Sequence, residues 1–352
     1  MTDSQSTTVA EAPAPAQELT FAPVNPLECS EEIKALFLAH ERPEFPAFFD
    51  RTYGDAVRDG ARSLVGRDET GRLCAHIAHF PRPFRLGDRV VRASLLANLM
   101  VAKEHRTLWP ALKLVRHLVS DCKRSGSIDF LYGDPNDAAL SILRAVGFRP
   151  AGALRRFVAP VSDRRVIVNL GIGLYQLLRG FRGPSMGLEV RVHRATDLPT
   201  GPNVVDPAEP GSLSPAPRPA VYRHRLPGYP DAGDRWYAFH RRNASDPLAA
   251  ILVRAPDRRG LALVGALQGM SPSLLTPVLL GLMRTLRQAG TGIERLELSV
   301  MGESRVAAAA QRAGFVPREE RIPVIAMPLT GIGTEALESG AEWRLLPVDL
   351  DR

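Results

Sequence analysis

Cysteine is scarce in this sequence: Cys29, Cys74 and Cys122 are the only three in 352 residues. Their number is odd, they are widely spaced and no CxxC pair occurs, which argues against a disulfide framework or a zinc knuckle and leaves reduced, mostly buried thiols as the expectation. Long apolar runs are missing too. No stretch approaches the roughly 18 residues that a membrane-spanning helix needs, and residues 1–18 lack the basic start and hydrophobic block of a secretory signal. They read as a disordered polar tail, and the chain is expected in the cytoplasm. Acidic residues fall short of basic ones, giving a formal charge of +7. That excess favours an anionic partner such as a nucleotide phosphate, an anionic lipid head group or nucleic acid. The basic residues are spread rather than clustered and no RNA or DNA motif is present, so nucleic acid is not expected.

Regular patterning is plentiful. Leu19 to Asn25 reads as a strand, and "LECSEEIKALFLAH" as a helix with Ser30 as its cap. From Ala61 to Val101, apolar and polar residues alternate between an Asp-Glu-Thr-Gly turn and a Leu-Gly-Asp turn, which predicts a three-stranded antiparallel meander. A helix follows in which Ala111, Val115, Leu118 and Cys122 share one face, with Pro110 in its first turn and Gly126 at its stop. "SIDFLYGDP" is a short buried strand, "NDAALSILRAVGF" a helix and "ALRRFVAPV" a closing strand. The class is mixed α/β, a central sheet flanked by helices.

The pattern occurs twice. "IDFLYGDPNDAALSILRAVGFRPAG" at Ile128 and "IERLELSVMGESRVAAAAQRAGFVPRE" at Ile293 share a strand, a helix, a small-Gly-Phe ending and a further strand at nearly equal spacing. Two tandem copies are expected, 19–185 and 186–350, the second with a Pro-rich flexible loop at 198–219.

The stretch "VAKEHRTLWPALKLVRHL", Val101 to Leu118, is a strand end leading through a short basic loop into an amphipathic helix. Such a turn exposes unpaired amides and the positive end of a helix dipole, a site suited to a pyrophosphate. Together with the later "YGDPNDAALSILRAVGF", this arrangement resembles the GNAT superfamily of acyl-CoA-dependent N-acyltransferases. Their signature, Arg or Gln, two residues, Gly, one residue, Gly or Ala, becomes Arg106, Thr107, Leu108, Trp109, Pro110, Ala111. The resemblance covers Leu19 to Val161 well and the second copy more loosely. It implies a GNAT-like sheet, an acyl-CoA or acyl-carrier-protein donor, an amine acceptor and no metal. It also implies donor-binding residues Val101, Glu104, His105, Arg106, Thr107, Leu108, Trp109, Ala111 and Asn136.

The departures are specific. Trp109 stands where the family has a Gly that lets amides approach the pyrophosphate, and Pro110 has no N–H. Leu143 occupies the position of the tyrosine that often acts as general acid, and Asn98 that of the carboxylate often found on the fourth strand. The second copy lacks the Arg signature in "GMSPSLLTPVLL" and has Ala310 at the tyrosine position, so the donor is expected in the first copy. The cradle reads either as a modified working one or as a relic, and Trp109 either as a contact for the pantetheine arm or as a residue buried between domains.

N-acyl transfer needs a base for the amine and a proton for the leaving thiolate, and no covalent enzyme intermediate. The candidate catalytic residues are His76 and His79 on the third strand and Tyr132, Asp134 and Asn136 at the end of the fifth. The plainer reading of Asp134 or Asn136 is a helix cap. Residues 169–186 mix an apolar stripe with Arg179 and Arg182, either an interdomain helix or a peripheral contact with the inner membrane. Tandem proteins of this look resemble bacterial envelope enzymes, among them GNAT-type ceramide synthases, which implies a lipid or sphingoid amine as acceptor. Acetylation of a sugar amine in polysaccharide assembly and a non-catalytic acyl-CoA-binding module stand as alternatives.

Overall fold

The alternating residues 62–101 form three antiparallel strands, β2 (Arg62–Arg67), β3 (Leu73–Leu86) and β4 (Arg89–Val101), in a computed structural model that describes residues 18–162, 188–197, 212–215, 233–269, 272–302 and 304–345. Asp68 closes the first turn by accepting from the Thr70 and Arg72 amides. β1 (Thr20–Val24) joins the outer edge antiparallel to β2. Two helices, α1 (Ser30–Leu38) and α2 (Phe45–Arg58), bury Phe37, Phe45, Phe49 and Tyr53 against one face. Ser30 is not the cap: Cys29 precedes the first turn and no side chain caps it. The α2 helix lay unseen in the sequence, where Pro46 and Gly54 break its pattern.

On the other face lies α3 (Leu108–Ser125), which buries Ala111, Val115, Leu118 and Cys122 as their spacing predicts and ends at Gly126 in the left-handed conformation. It is followed by β5 (Phe130–Gly133), α4 (Asp137–Val146) and β6 (Arg149–Pro160). The second copy repeats the order with β7 (Leu188–Arg194), β9 (Arg235–Arg241), β10 (Pro247–Val253), β11 (Leu261–Gln268), α5 (Pro272–Gln288), β12 (Arg295–Met301), α6 (Arg305–Arg312) and β13 (Val316–Pro328). Within the Pro-rich stretch, β8 (Ser212–Pro215) pairs with the far end of β3 and with β14 (Glu342–Trp343), which follows α7 (Gly331–Glu338).

Among the described residues, all strands belong to one 14-stranded sheet whose main path runs β1-β2-β3-β4-β5-β13-β6-β12-β11-β10-β9-β7. The order is a palindrome of the two copies with their last strands exchanged. β13 of the second copy completes the first beside β5, and β6 of the first completes the second beside β12. The hydrophobic cores follow the exchange. Ile322, Val324, Ile325 and Ala326 belong to the first core, whereas Phe157, Ala159 and Val161 belong to the second. Asp129 ties the C-terminal segment to the first copy: its carboxylate holds Arg92 through two nitrogens at 2.8 and 3.1 Å and accepts from Thr330 Oγ1 at 3.0 Å.

Candidate functional site

The parallel pairing of β4 with β5 covers only Ala93 to Leu95 against Phe130 to Tyr132. Beyond that point β4 runs on to Val101 with β3 alone, and Ala97, Asn98, Leu99 and Met100 are half-buried on a strand whose preceding four residues, Ala93 to Leu96, are fully buried. An open edge in mid-sheet, lined by unpaired main-chain groups, is a place for an extended ligand to add as a strand would.

A β-bulge shapes this edge. His76 and Ala78 of β3 face Met100 and Ala97 of β4, so β4 carries one residue too many, and Asn98 takes φ 58°. Among L residues, asparagine accepts this conformation most readily. The fit is enforced by buried neighbours. His76 Nδ1 is 3.0 Å from the Asn98 carbonyl, which only accepts, so Nδ1 carries the proton and Nε2 accepts from Ser63 Oγ at 2.9 Å. Asn98 Nδ2 donates to Tyr53 Oη at 2.8 Å. Burial pushes the His76 pKa down to about 4, so the ring is neutral at pH 7.

His79 points to the opposite face with Nδ1 3.0 Å from Ser94 Oγ, and burial, then the Arg62 charge, lowers its pKa to about 4 as well. Tyr132 is wholly buried in an aromatic cluster with Phe84, Phe130 and Trp343. Asp134 is half-buried just past the end of β5, at the mouth of the open edge, and Asn136 caps α4, its Oδ1 accepting from the Ala139 amide at 2.9 Å. Asp134 thus follows the end of β5, where its pairing with β4 has stopped, and His76 lies on β3 on the other side of β4.

At the far end of β4, a 3-10 turn (Lys103–His105) leads to α3. The Arg106 amide bonds to Lys103 O and the Thr107 amide to His105 O. Thr107 is the cap residue but makes no side-chain cap bond, and Pro110 has no amide hydrogen. That leaves the Leu108 and Trp109 amides at the helix start without a partner among the described residues. Arg106 folds back, Nε donating to Val101 O at 3.0 Å, and Glu104 is paired with Arg72 at 2.6 Å. Trp109 is 63% exposed and Leu108 56% exposed, so Trp109 is not buried between the copies. Ala111 faces the core. The Leu108 and Trp109 amides, a helix dipole and one adjacent guanidinium fit a pyrophosphate, with fewer donors than a Gly-x-Gly loop offers. Residues 169–186 lie outside the described residues.

The second copy has its own opening. β11 pairs with β12 over Leu261–Leu263 only, and β11 bulges at Val264–Ala266 against Val253–Leu252. A cavity of about 240 Å³ there is lined by Leu263, Gly265, Glu297 and Arg156. Arg156, from β6 of the first copy, pairs with Glu297 at 2.6 and 2.9 Å and with Glu320. An internal ion pair thus stands where the first copy has an open edge.

The sequence had marked Asn98 only as a missing carboxylate. The break in alternation across Ala97–Asn98–Leu99–Met100 is the signal that locates the bulge. Tyr53, in the unseen helix, carried no signal.

No protein-family model and no curated relative matches the sequence. Solved structures do. A GCN5-related N-acetyltransferase from Kribbella flavida is 15% identical, with TM-score 0.63, over 91% of this chain and 73% of that one. One from Anabaena variabilis is 11% identical, with TM-score 0.61, over 88% and 73%. At such identities the likeness concerns the fold. With its splayed fourth and fifth strands, bulged fourth strand and doubled strand order, this chain has the fold of the GCN5-related N-acetyltransferases.

Proposed function

We propose that the chain is an acyl-CoA-dependent N-acyltransferase whose working site is the open β4 edge of the first copy. The observation that carries this reading is the continuity of that edge, Ala97 to Met100, with the amides of Leu108 and Trp109 and the Arg106 guanidinium at the start of α3. In this reading the donor's pyrophosphate sits against those amides and Arg106, and its pantetheine arm lies along β4. Acyl-CoA supplies an activated thioester. The protein supplies the rest: the bulged main chain around Asn98 orients the thioester, and Asp134 orients the amine and takes its proton. His76 holds the bulge, since both ring nitrogens are engaged. The second copy serves as scaffold, its opening taken by the Arg156 ion pairs.

For the acceptor, we favour a lipid or sphingoid amine with a long-chain donor on CoA or carrier protein. What supports it is the exposed Leu108–Trp109 pair beside exposed Lys103 and Arg106, an apolar contact with a basic fringe. Mass spectrometry of reactions pairing acetyl-CoA, palmitoyl-CoA or palmitoyl carrier protein with a sphingoid base or an amino sugar tests both levels. A long-chain amide of the sphingoid base supports the full reading. An acetylated sugar alone keeps the acyltransferase and replaces the acceptor, and no amide from any pairing refutes the activity.

A further inference from the structure

Beneath the loop that leads to α3, three side chains from separate segments converge. Asp68 comes from the β2–β3 turn, Cys74 from the start of β3 and His105 from the 3-10 turn after β4. A carboxylate oxygen, the Sγ and an imidazole nitrogen of the three lie within 4.8 Å of one another. The Asp68 side chain is 7% exposed, Cys74 is fully buried, and His105 is 6% exposed. His105 Nε2 is buried and has no hydrogen-bond partner among the described residues. A buried imidazole nitrogen left without a partner is costly, and it calls for a ligand.

We infer that Asp68, Cys74 and His105 form a binding site for one divalent metal ion of zinc type. The donor set selects the ion. One thiolate, one imidazole and one carboxylate suit zinc, whereas calcium and magnesium demand oxygen donors. A tetrahedral zinc at bond lengths of roughly 2.0–2.3 Å holds its ligand atoms about 3.3–3.8 Å apart, so the observed cluster needs only a small contraction. Cys74 Sγ already bonds to Asp68 Oδ2 at 3.3 Å through its proton. On binding, that proton goes to solvent, the thiolate and carboxylate charges match the ion, and a solvent oxygen fills the fourth position. Arg72, which reaches Asp68 Oδ2 at 3.2 Å, is held more closely by Glu104 at 2.6 Å and can leave the carboxylate to the ion. The widely spaced ligands escape any contiguous motif, because the fold alone brings positions 68, 74 and 105 together. Once bound, the ion clamps the base of the loop that carries Arg106 to the β2–β3 turn.

The inference is independent of acyl transfer, and its test reads metal alone. Purified full-length protein, stripped with chelator, is titrated with cobalt(II), and then zinc content is measured after gel filtration. The site predicts saturation at a single equivalent, a thiolate-to-cobalt charge-transfer band, displacement of cobalt by zinc, and loss of the band in Cys74→Ser and in His105→Gln but not in Cys29→Ser. The wild-type titration decides even where a variant fails to fold: no charge-transfer band, or metal lost on gel filtration, overturns the site. A band that survives in folded Cys74→Ser overturns it equally.

Discussion

The Nδ1–H of His76 donates to the main-chain carbonyl of Asn98 across 3.0 Å, from a fully buried ring that remains neutral because burial holds its pKa near 4. A side chain on β3 thereby fixes the one residue of β4 that has left the regular ladder. That bond braces the bulge beside the open edge, and its consequences are measurable.

Acid should expose it. The unfolded His76 titrates near 6.5, above its folded value, so the unfolded chain binds more protons as pH falls from about 6.5 to 4, and stability drops with it. By pH 5 the loss from His76 is about 2 kcal/mol. Urea unfolding at pH 7 and pH 5 should show a decline in the wild type that shrinks in His76→Gln. Equal declines in the two proteins would contradict the assignment.

Asn98 contributes both a tolerated positive φ and a bond to Tyr53. Asn98→Gly keeps the backbone freedom and loses only the bond, for about 1 kcal/mol. Asn98→Val meets the strained conformation as well and should lose about 1–2 kcal/mol more. Tyr53→Phe should cost at least as much as Asn98→Gly, and the double variant should cost less than the sum of the two single ones. Denaturant midpoints check the order.

Strand exchange predicts that neither copy folds alone. Residues 19–185 would carry β6, with Phe157 and Ala159 stripped of their core, and would leave β5 without β13. The separate halves should be insoluble or unfolded, and their co-expression should recover a soluble complex. A well-dispersed NMR spectrum from residues 19–185 alone would contradict the exchange.

Pro110 leaves the start of α3 one amide short. Pro110→Ala returns an N–H to the first turn and should tighten CoA binding several-fold without altering the acyl-chain preference. Equilibrium competition with a fluorescent CoA derivative reads this directly, and weaker binding would place the phosphates elsewhere.

Much of this architecture was legible in residue order. Alternation gave β2 to β4, the 4-3-4 spacing gave the buried face of α3, Gly126 and Gly147 gave the helix stops, and the Ile128 and Ile293 repeat gave the doubling. These are local signals that reach a few residues along the chain. The exchange of β6 and β13 was not legible, because either partner offers the same apolar strand edge and only three-dimensional closure chooses between them. At the site, the turn proposed to hold phosphate stood out through Arg106 and the helix that follows. The role of His76 was not, since a strand histidine looks the same in sequence whether it faces a cleft or braces a bulge. Trp109, open to either a buried or a ligand-facing reading, proves exposed.

Under the proposed function, the first copy holds the donor through Arg106 and the start of α3. Isothermal titration of the full chain with palmitoyl-CoA and acetyl-CoA, wild type against Arg106→Ala, tests it most directly. Saturable binding is expected at one site per chain, tighter for the long chain, and weakened about tenfold in Arg106→Ala by loss of one phosphate contact. Undiminished affinity in a folded Arg106→Ala protein, or no heat from either CoA ester, would contradict it.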